Sequence, residues 1–458
     1  MANYGESILS RVLDEGNILS LTEFDVRRSD FSTDTERNTY DFIIDYSMHN
    51  GGKTPDYRTV IEHNVDFYYR EGVTDDYRYM VRELKDFAAK RKLVELVMGT
   101  KDKTVVPLQD RINAMSGKAV IGELIEELRG ITEDTTLRER VGTDLKRDGA
   151  AYLQEYRDRR DGKSLRKWMS KFQTINEEVG GYFSGNMYAW FGRSGRGKSV
   201  FVMEEAIEAA YQGANVLIWA MEMSRFEVMA RFYASMSARQ GEMRATIDGV
   251  DMEVGFPNRD MLGGSLTDEM EEALESFLST LKDVLPGNIT IRAEDDEDFG
   301  SRSLRDLESD IIRTKADVVV IDPFYYLDYE ANTSRTTGGD AANTSVKLRA
   351  LAGRTRTVIH AITQADEDGQ KSDADRELDA PARKDVLKTK ALLQDAANLF
   401  AIDTMDGQGI IQLGKGRQGG EGATVEVTYL PNYGVVKEIG DEYAAVAAML
   451  AYSAGIGM

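Results

Sequence analysis

The sequence predicts an α/β domain with a mostly parallel sheet, preceded by a small all-helical region and a linker that carries one charged helix. Three observations predict it. Through residue 128 apolar side chains recur at helical spacing. From Phe172 onward short apolar runs alternate with helical segments, the pattern of a parallel sheet covered on both faces. At Gly192 a glycine-rich turn joins one such run to a helix. The expected domains are residues 1–128, 129–171 and 172–458.

In the first region Ser32 or Thr33 can cap a helix carrying Tyr40, Phe42, Ile43 and Tyr46, which Asn50-Gly51-Gly52 stops. Tyr77, Met80, Val81, Leu84, Phe87 and Ala88 mark a second helix after Thr74, and Ile121, Leu124, Ile125 and Leu128 a further one. No catalytic constellation occurs here, so the region reads as a packing, oligomerisation or partner module. Between Thr143 and Arg160 the chain is strongly charged, with Leu145, Tyr152, Leu153 and Tyr156 as a narrow apolar stripe ended by Asp161-Gly162-Lys163. Such a helix buries little surface in its own chain; it is either a solvated spacer or a helix that docks on a neighbouring subunit.

Composition narrows the chemistry. The 458 residues suffice for two or three domains with their own cores. The absence of cysteine removes disulfides, thiolate zinc sites and thiol nucleophiles, and suits a reducing compartment. His49, His63 and His360 are too few and too scattered for a histidine metal site or a catalytic triad, which leaves them packing roles. The first residues lack a basic stretch followed by an apolar run, and no segment is apolar for long enough to span a bilayer. The expected location is cytoplasmic, without a membrane. A formal net charge of −22 argues against a surface coated for nonspecific nucleic-acid binding and confines any such contact to a basic strip.

The chemistry concentrates at strand ends. Gly192-Arg193-Ser194-Gly195-Arg196-Gly197-Lys198-Ser199 fits G-x-x-x-x-G-K-[ST], with an apolar strand, Met187 to Phe191, before it and a helix opening at Ser199 and Val200 after it. Glycines let backbone N–H groups approach phosphates, the helix N-terminus adds its positive end, Lys198 reaches the outer phosphates and Ser199 can ligate Mg²⁺. The apolar run Val216 to Ala220 leads to Glu222, a carboxylate able to orient or deprotonate water. The run Asp317 to Ile321 ends at Asp322, as expected for an acid of a Mg²⁺ shell. The strand Thr357 to Thr363 ends at Gln364, whose amide can bond a terminal phosphate and report its loss. The acids Glu294 to Asp298 read as a solvated entry to a helix that starts at Ser301-Arg302-Ser303-Leu304, and Tyr443 to Tyr452 as a final docked helix or partner tail.

The loop Gly192 to Ser199, the run Ala220-Met221-Glu222-Met223-Ser224, the strand Val319 to Asp322, Thr363-Gln364 and the late Lys415-Gly416-Arg417-Gln418-Gly419 together resemble the RecA-like motor domain of replicative DnaB-type helicases. The similarity is strong from about Phe172 to Ile439; the helical region and the linker helix resemble that family's N-terminal part by order and length. A bacterial or bacteriophage member would fit. The resemblance implies ATP and Mg²⁺ as cofactors, Glu222 as the group that activates water, Ser199 and Asp322 as Mg²⁺ residues, and Gln364 as γ-phosphate sensor. It implies that Lys415 and Arg417, on a hairpin between strands Ile410 to Leu413 and Thr424 to Leu430, reach the adjacent subunit's nucleotide in a homohexameric ring. DNA contacts would fall in two loops, about 328–340 and 365–390, where Arg335, Arg383, Lys384, Lys388 and Lys390 supply positive charge. In that family's arginine position this chain has Leu387. The implied function is replicative unwinding of forked DNA, 5′ to 3′ along a single strand, with a primase, a helicase loader and a polymerase as partners. The alternatives are a RecA-like recombinase, which shares the ATP chemistry but assembles as a filament, and a non-catalytic ring that serves as scaffold or loader.

Overall fold

Thr33 shows how the helical part is set up locally. The Thr33 hydroxyl accepts from Glu36 N (3.1 Å) and the Glu36 carboxylate accepts from Thr33 N (2.9 Å), a reciprocal cap on the helix that follows. The computed structural model describes residues 4–100, 104–136, 142–247, 249–332, 339–366, 376–386, 389–417 and 419–439. They fall into two compact units, Met1–Gly149 and Ala150–Met458.

In the first unit α1 (Tyr4–Glu15), α2 (Asp34–His49), α3 (Tyr77–Met98) and α4 (Gly117–Thr135) are the main helices. Asp76 caps α3 by accepting from Arg78 N and Tyr79 N. The core gathers Ile8, Leu9 and Val12 of α1, Phe31, Ile43 of α2, and Met80, Val81 and Leu84 of α3. Beneath it Lys85 and Asp30, both fully buried, pair at 3.3 Å. Helix α4 runs past Leu128 to Thr135; on it Val120 is buried while Ile121, Ile125 and Leu128 are exposed, as are Leu93, Val94, Val97 and Met98 on α3.

The second unit opens with α5 (Gly149–Arg160). The charged stretch becomes helical only from Gly149, so Leu145 lies ahead of the helix, while Tyr152, Leu153 and Tyr156 are exposed on it. A nine-stranded sheet follows, formed by β1 (Met187–Gly192), β2 (Asn215–Ala220), β3 (Asn288–Ala293), β4 (Val318–Asp322), β5 (Val358–Gln364), β6 (Asn398–Met405), β7 (Gln408–Gly416), β8 (Thr424–Leu430) and β9 (Val435–Glu438). Its spatial order is β9-β8-β7-β6-β1-β5-β4-β2-β3. From β6 to β3 all neighbours are parallel; β6 to β9 form an antiparallel edge. Strand alternation sends Trp190, Ile218 and Val320 to one core and Phe191, Trp219 and Ile321 to the other. The first core is covered by α6 (Lys198–Tyr211) and α7 (Arg225–Gln240), the second by α8 (Leu304–Thr314) and α9 (Gly339–Thr355).

The register decides where the chemistry sits. Gly192 pairs with Gln364, and Ala220 with Asp322, so the phosphate loop, both acids and the glutamine leave the sheet at its carboxyl edge. Helix α6 is tied down by a buried polar contact: Glu205 accepts from Ser170 Oγ (2.6 Å) and Lys171 N (3.0 Å), and burial pushes its carboxyl up to about 7. Two of the three histidines pack. His360 is buried and its Nδ1 accepts from Trp190 Nε1 (3.0 Å), burial driving its pKa down to about 3; His63 stacks on Phe42; His49 is exposed. The acidic run makes local bonds: Asp295 accepts from Arg225 N and Asp296 from Ala293 N, and Arg292 pairs with Asp298. Ser303 caps α8. Among the described residues no helix is long and apolar enough to cross a membrane. Tyr443 to Tyr452 lie outside the described residues.

Candidate functional site

The glycine-rich loop joins β1 to α6, whose first two residues are Lys198 and Ser199. Gly197 takes φ of +82°, and a Cβ there would meet Tyr429 Oη at 2.5 Å. Tyr429 is held over the loop by stacking on Phe201, with ring centroids 5.4 Å apart and planes 5° from parallel. Gly192 is equally constrained, since a Cβ would lie 2.7 Å from Ile402 O. Lys198 Nζ donates to Arg193 O (2.7 Å), and the Arg193 guanidinium donates to Asp379 O (2.9 Å).

Behind the loop lies a cavity of about 380 Å³. Ser194, Gly195, Gly197, Lys198, Ser199 and Val200 line it together with Glu222, Asp322 and Gln364. Of the residues the sequence singled out for nucleotide contact, Gly192, Arg193 and Arg196 do not line it. The structure also brings in groups that sequence reasoning missed: Arg231 from α7, Asn258 and Arg259 from a short helix, Tyr325 from the turn after β4, and Tyr429, Pro431 and Asn432 from the end of β8. Tyr325 had a weak signal in its position three residues beyond Asp322. Arg231 and Tyr429 had none, because they reach the cavity only once the sheet has formed.

Electrostatics set the acids apart. Asp322 is 3% exposed and its Oδ2 has no hydrogen-bond partner among the described residues. Burial pushes its carboxyl up to about 6 and the Glu222 charge adds to this, while the facing Ser199 hydroxyl and Lys198 oppose it. A buried carboxylate oxygen without a partner, beside a hydroxyl and open to a cavity, fits a hydrated divalent cation that takes its other ligands from phosphate and water. Among the described residues no group of three or more acidic or histidine side chains is placed to hold a metal alone.

Glu222 lies on an exposed turn after β2. Tyr325 Oη is 3.3 Å from Glu222 Oε1 and 3.3 Å from Gln364 Oε1. Burial, then the Glu222 carboxylate, push the Tyr325 phenol up, so it stays protonated.

Lys415 and Arg417 do not enter this cavity. They leave β7 beside the short helix Lys390–Asp395, where Lys415 Nζ donates to Gln394 O (2.8 Å) and Arg417 to Asp395 O (3.4 Å). Burial, then the charges of Arg383 and Arg417, hold the Lys415 ammonium below its usual pKa. Arg383, Lys384 and Lys390 are exposed nearby in sequence, the first two on the turn Arg383–Asp385. Arg335, Leu387, Lys388 and Gln418 lie outside the described residues.

Comparison with known proteins supplies the context. No curated protein sequence matches the chain. A solved structure described as that of a DnaB-like replicative helicase and its interactions with primase is similar over 96% of this chain and 100% of that one, with 16% identity and a TM-score of 0.67. A KaiC-like protein from the hyperthermophilic archaeon Pyrococcus horikoshii is similar over 60% of this chain and 100% of that one, with 14% identity and a TM-score of 0.36. The first likeness establishes a RecA-like fold with a helical region ahead of it. Residues 168–437, more than half of the chain, match the DnaB-like helicase C-terminal domain, and the protein belongs to that family.

Proposed function

We propose that the protein is a replicative DNA helicase, a homohexameric ring that hydrolyses ATP to move 5′ to 3′ along single-stranded DNA and part the duplex at a fork. One observation carries the reading. The phosphate loop, Glu222, Asp322 and Gln364 gather round one cavity at the sheet's carboxyl edge, while two cations on a hairpin stay outside it.

The loop N–H groups and Lys198 hold the phosphates of ATP, with Lys198 exchanging the Arg193 carbonyl for a phosphoryl oxygen. Ser199 and Asp322 hold Mg²⁺, which when bound neutralises phosphate charge in the transition state. Glu222 orients the attacking water and takes its proton. Gln364 bonds the terminal phosphate, and its release after hydrolysis reaches the DNA loops through the ends of β4 and β5. Arg259 and Tyr429 offer a cation and a ring face to the base. Lys415 and Arg417 complete the site of the next subunit, because the carbonyls that hold them are neutral and readily exchanged for a phosphate. Arg383, Lys384 and Lys390, with Arg335 and Lys388, bind the DNA backbone. Residues 1–128 form an assembly or partner module, and residues 129–171 a linker whose helix α5 docks through Tyr152, Leu153 and Tyr156. A primase, a loader and a polymerase are the partners this activity requires, in the cytoplasm of a bacterium or of a virus-infected host.

The test is unwinding of a forked DNA that offers either a 5′ or a 3′ single-stranded tail, with Lys198→Ala as control. The expected result is ATP-dependent unwinding that needs the 5′ tail and disappears in the control. DNA-stimulated ATP turnover with filaments in electron micrographs would support a recombinase instead; no turnover at all would leave a scaffold.

A further inference from the structure

The hydroxyl of Tyr325 has an arrangement that the proposed chemistry does not require. Among the described residues it is the sole hydrogen-bond partner of the Glu222 carboxylate and of the Gln364 side-chain amide, at 3.3 Å from each. Tyr325 sits in the short turn Phe324–Tyr326, which follows β4 and has the buried Phe324 and Leu327 at either end, and the Tyr326 ring lies edge-on to it at 5.1 Å. Glu222, by contrast, stands on an exposed turn. The phenol is half-buried and the carboxylate it bonds is exposed.

One phenolic proton cannot serve two oxygen acceptors at once. Either it alternates between them, or the Gln364 amide turns its nitrogen to Tyr325 and the chain of donors runs from Gln364 through Tyr325 to Glu222. In both cases the bond to Glu222 depends on what Gln364 is doing. A terminal phosphate in the cavity is a charged partner and a stronger one for the Gln364 amide than a phenol is.

We infer that Tyr325 is a positioning residue that latches Glu222 away from the attacking water, a latch that tightens when Gln364 leaves the phenol for the terminal phosphate and opens when the turn after Asp322 is displaced from the DNA side. The latch rests on the ATP-hydrolysing role proposed above for this cavity. It makes hydrolysis conditional: with the hydroxyl in place, Glu222 spends its time bonded to Tyr325 when no DNA moves the turn. The segment after the turn runs directly into residues 328–340, one of the two loops assigned to DNA.

The experiment measures phosphate release at saturating Mg²⁺ with and without oligo-dT for wild type, Tyr325→Phe and Tyr326→Phe. Tyr325→Phe keeps the ring and its packing but loses the hydroxyl. Its DNA-free kcat is expected to rise about tenfold, the weight of one hydrogen bond to a charged group. KM for ATP should stay within about twofold and the DNA-stimulated rate near wild type, so the stimulation ratio collapses. Tyr326→Phe should leave all three unchanged. A structural defect would lower rates, not raise the DNA-free one, and Tyr325→Leu provides a second variant that must shift the ratio the same way if the first is poorly folded. An unchanged DNA-free rate in Tyr325→Phe, or a fall in both rates together, overturns the latch while leaving the helicase reading intact. A wild-type protein without ATP turnover under either condition overturns both.

Discussion

The cavity behind the glycine-rich loop and the β6–β7 edge both carry cations but are built differently. In the cavity each group is answered from within: Lys198 by Arg193 O, Asp322 by the facing Ser199, Glu222 and Gln364 by Tyr325. At the edge, Lys415 and Arg417 rest on the carbonyls of Gln394 and Asp395, with no carboxylate paired to either among the described residues. The cavity groups line one space and contact one another around it. The edge is provisioned but idle, its cations held by neutral acceptors that cost little to leave. One chain thus carries the larger part of one site and, on the proposed reading, the missing part of another.

The most severe way to break this contrast is Arg417→Ala. If the edge completes a neighbour's site, kcat for ATP should fall roughly a thousandfold with KM little changed. Mixing Arg417→Ala with Glu222→Gln, each inactive alone, should restore measurable turnover, because some interfaces then pair an intact cavity with an intact arginine. Full activity in the single variant, or no recovery in mixtures, would put both halves in one chain or give the edge no part in catalysis.

A smaller effect sharpens the cavity side. Gly197→Ala forces a side chain onto a backbone at φ +82° and to within 2.5 Å of Tyr429 Oη. Affinity for a non-hydrolysable ATP analogue should drop about tenfold, a cost of ~1.4 kcal/mol. Gly422→Ala, at φ +95° but with nothing within 4 Å of the new Cβ, should leave that affinity unchanged in the same calorimetric titration.

The smallest effect concerns charge burial. Asp322 has its pKa raised by burial to about 6, above its value in an unfolded chain, so its ionised form is the less stable one when folded. The penalty is complete above pH 6 and is relieved as the pH falls through 6 toward 4. Asp322→Asn should therefore raise the Tm of the nucleotide-free protein by a few degrees at pH 7.5, with the gain shrinking by pH 5. A gain independent of pH would remove burial as its cause.

How much of this was legible beforehand follows from where the information lies. The phosphate loop, Glu222, Asp322 and Gln364 each stand at the end of an apolar run in a fixed local context, and the register gathers them at one edge. Tyr325, Arg231 and Tyr429 enter the cavity through a turn geometry, a helix face and a crossing of the sheet, none of which is encoded in local spacing. Helical periodicity told which segments of the first unit are helices but not what they bury: Ile121, Ile125 and Leu128 follow the pattern of a core stripe and face outward. The charged stretch was read as helical from Thr143 because its stripe has the right period, yet the helix starts at Gly149, where Ala150 and Ala151 begin a run of stronger helix formers.

The strand order has a consequence for synthesis. β1, which presents the phosphate loop, has as neighbours not the strands that follow it but β5 and β6, with Met187 beside Ile359 and Ala189 beside Leu399. When a ribosome has released the whole glycine-rich motif, roughly half of the chain is still to be made, and the strand that must brace it has no partner. At ~5–20 residues per second that interval lasts on the order of ten seconds or more. During it a strand whose six residues are all buried in the folded domain is an unpaired edge. On the proposed reading ATP cannot serve as a template for this fold, because the loop that would cradle it is braced only by strands made later.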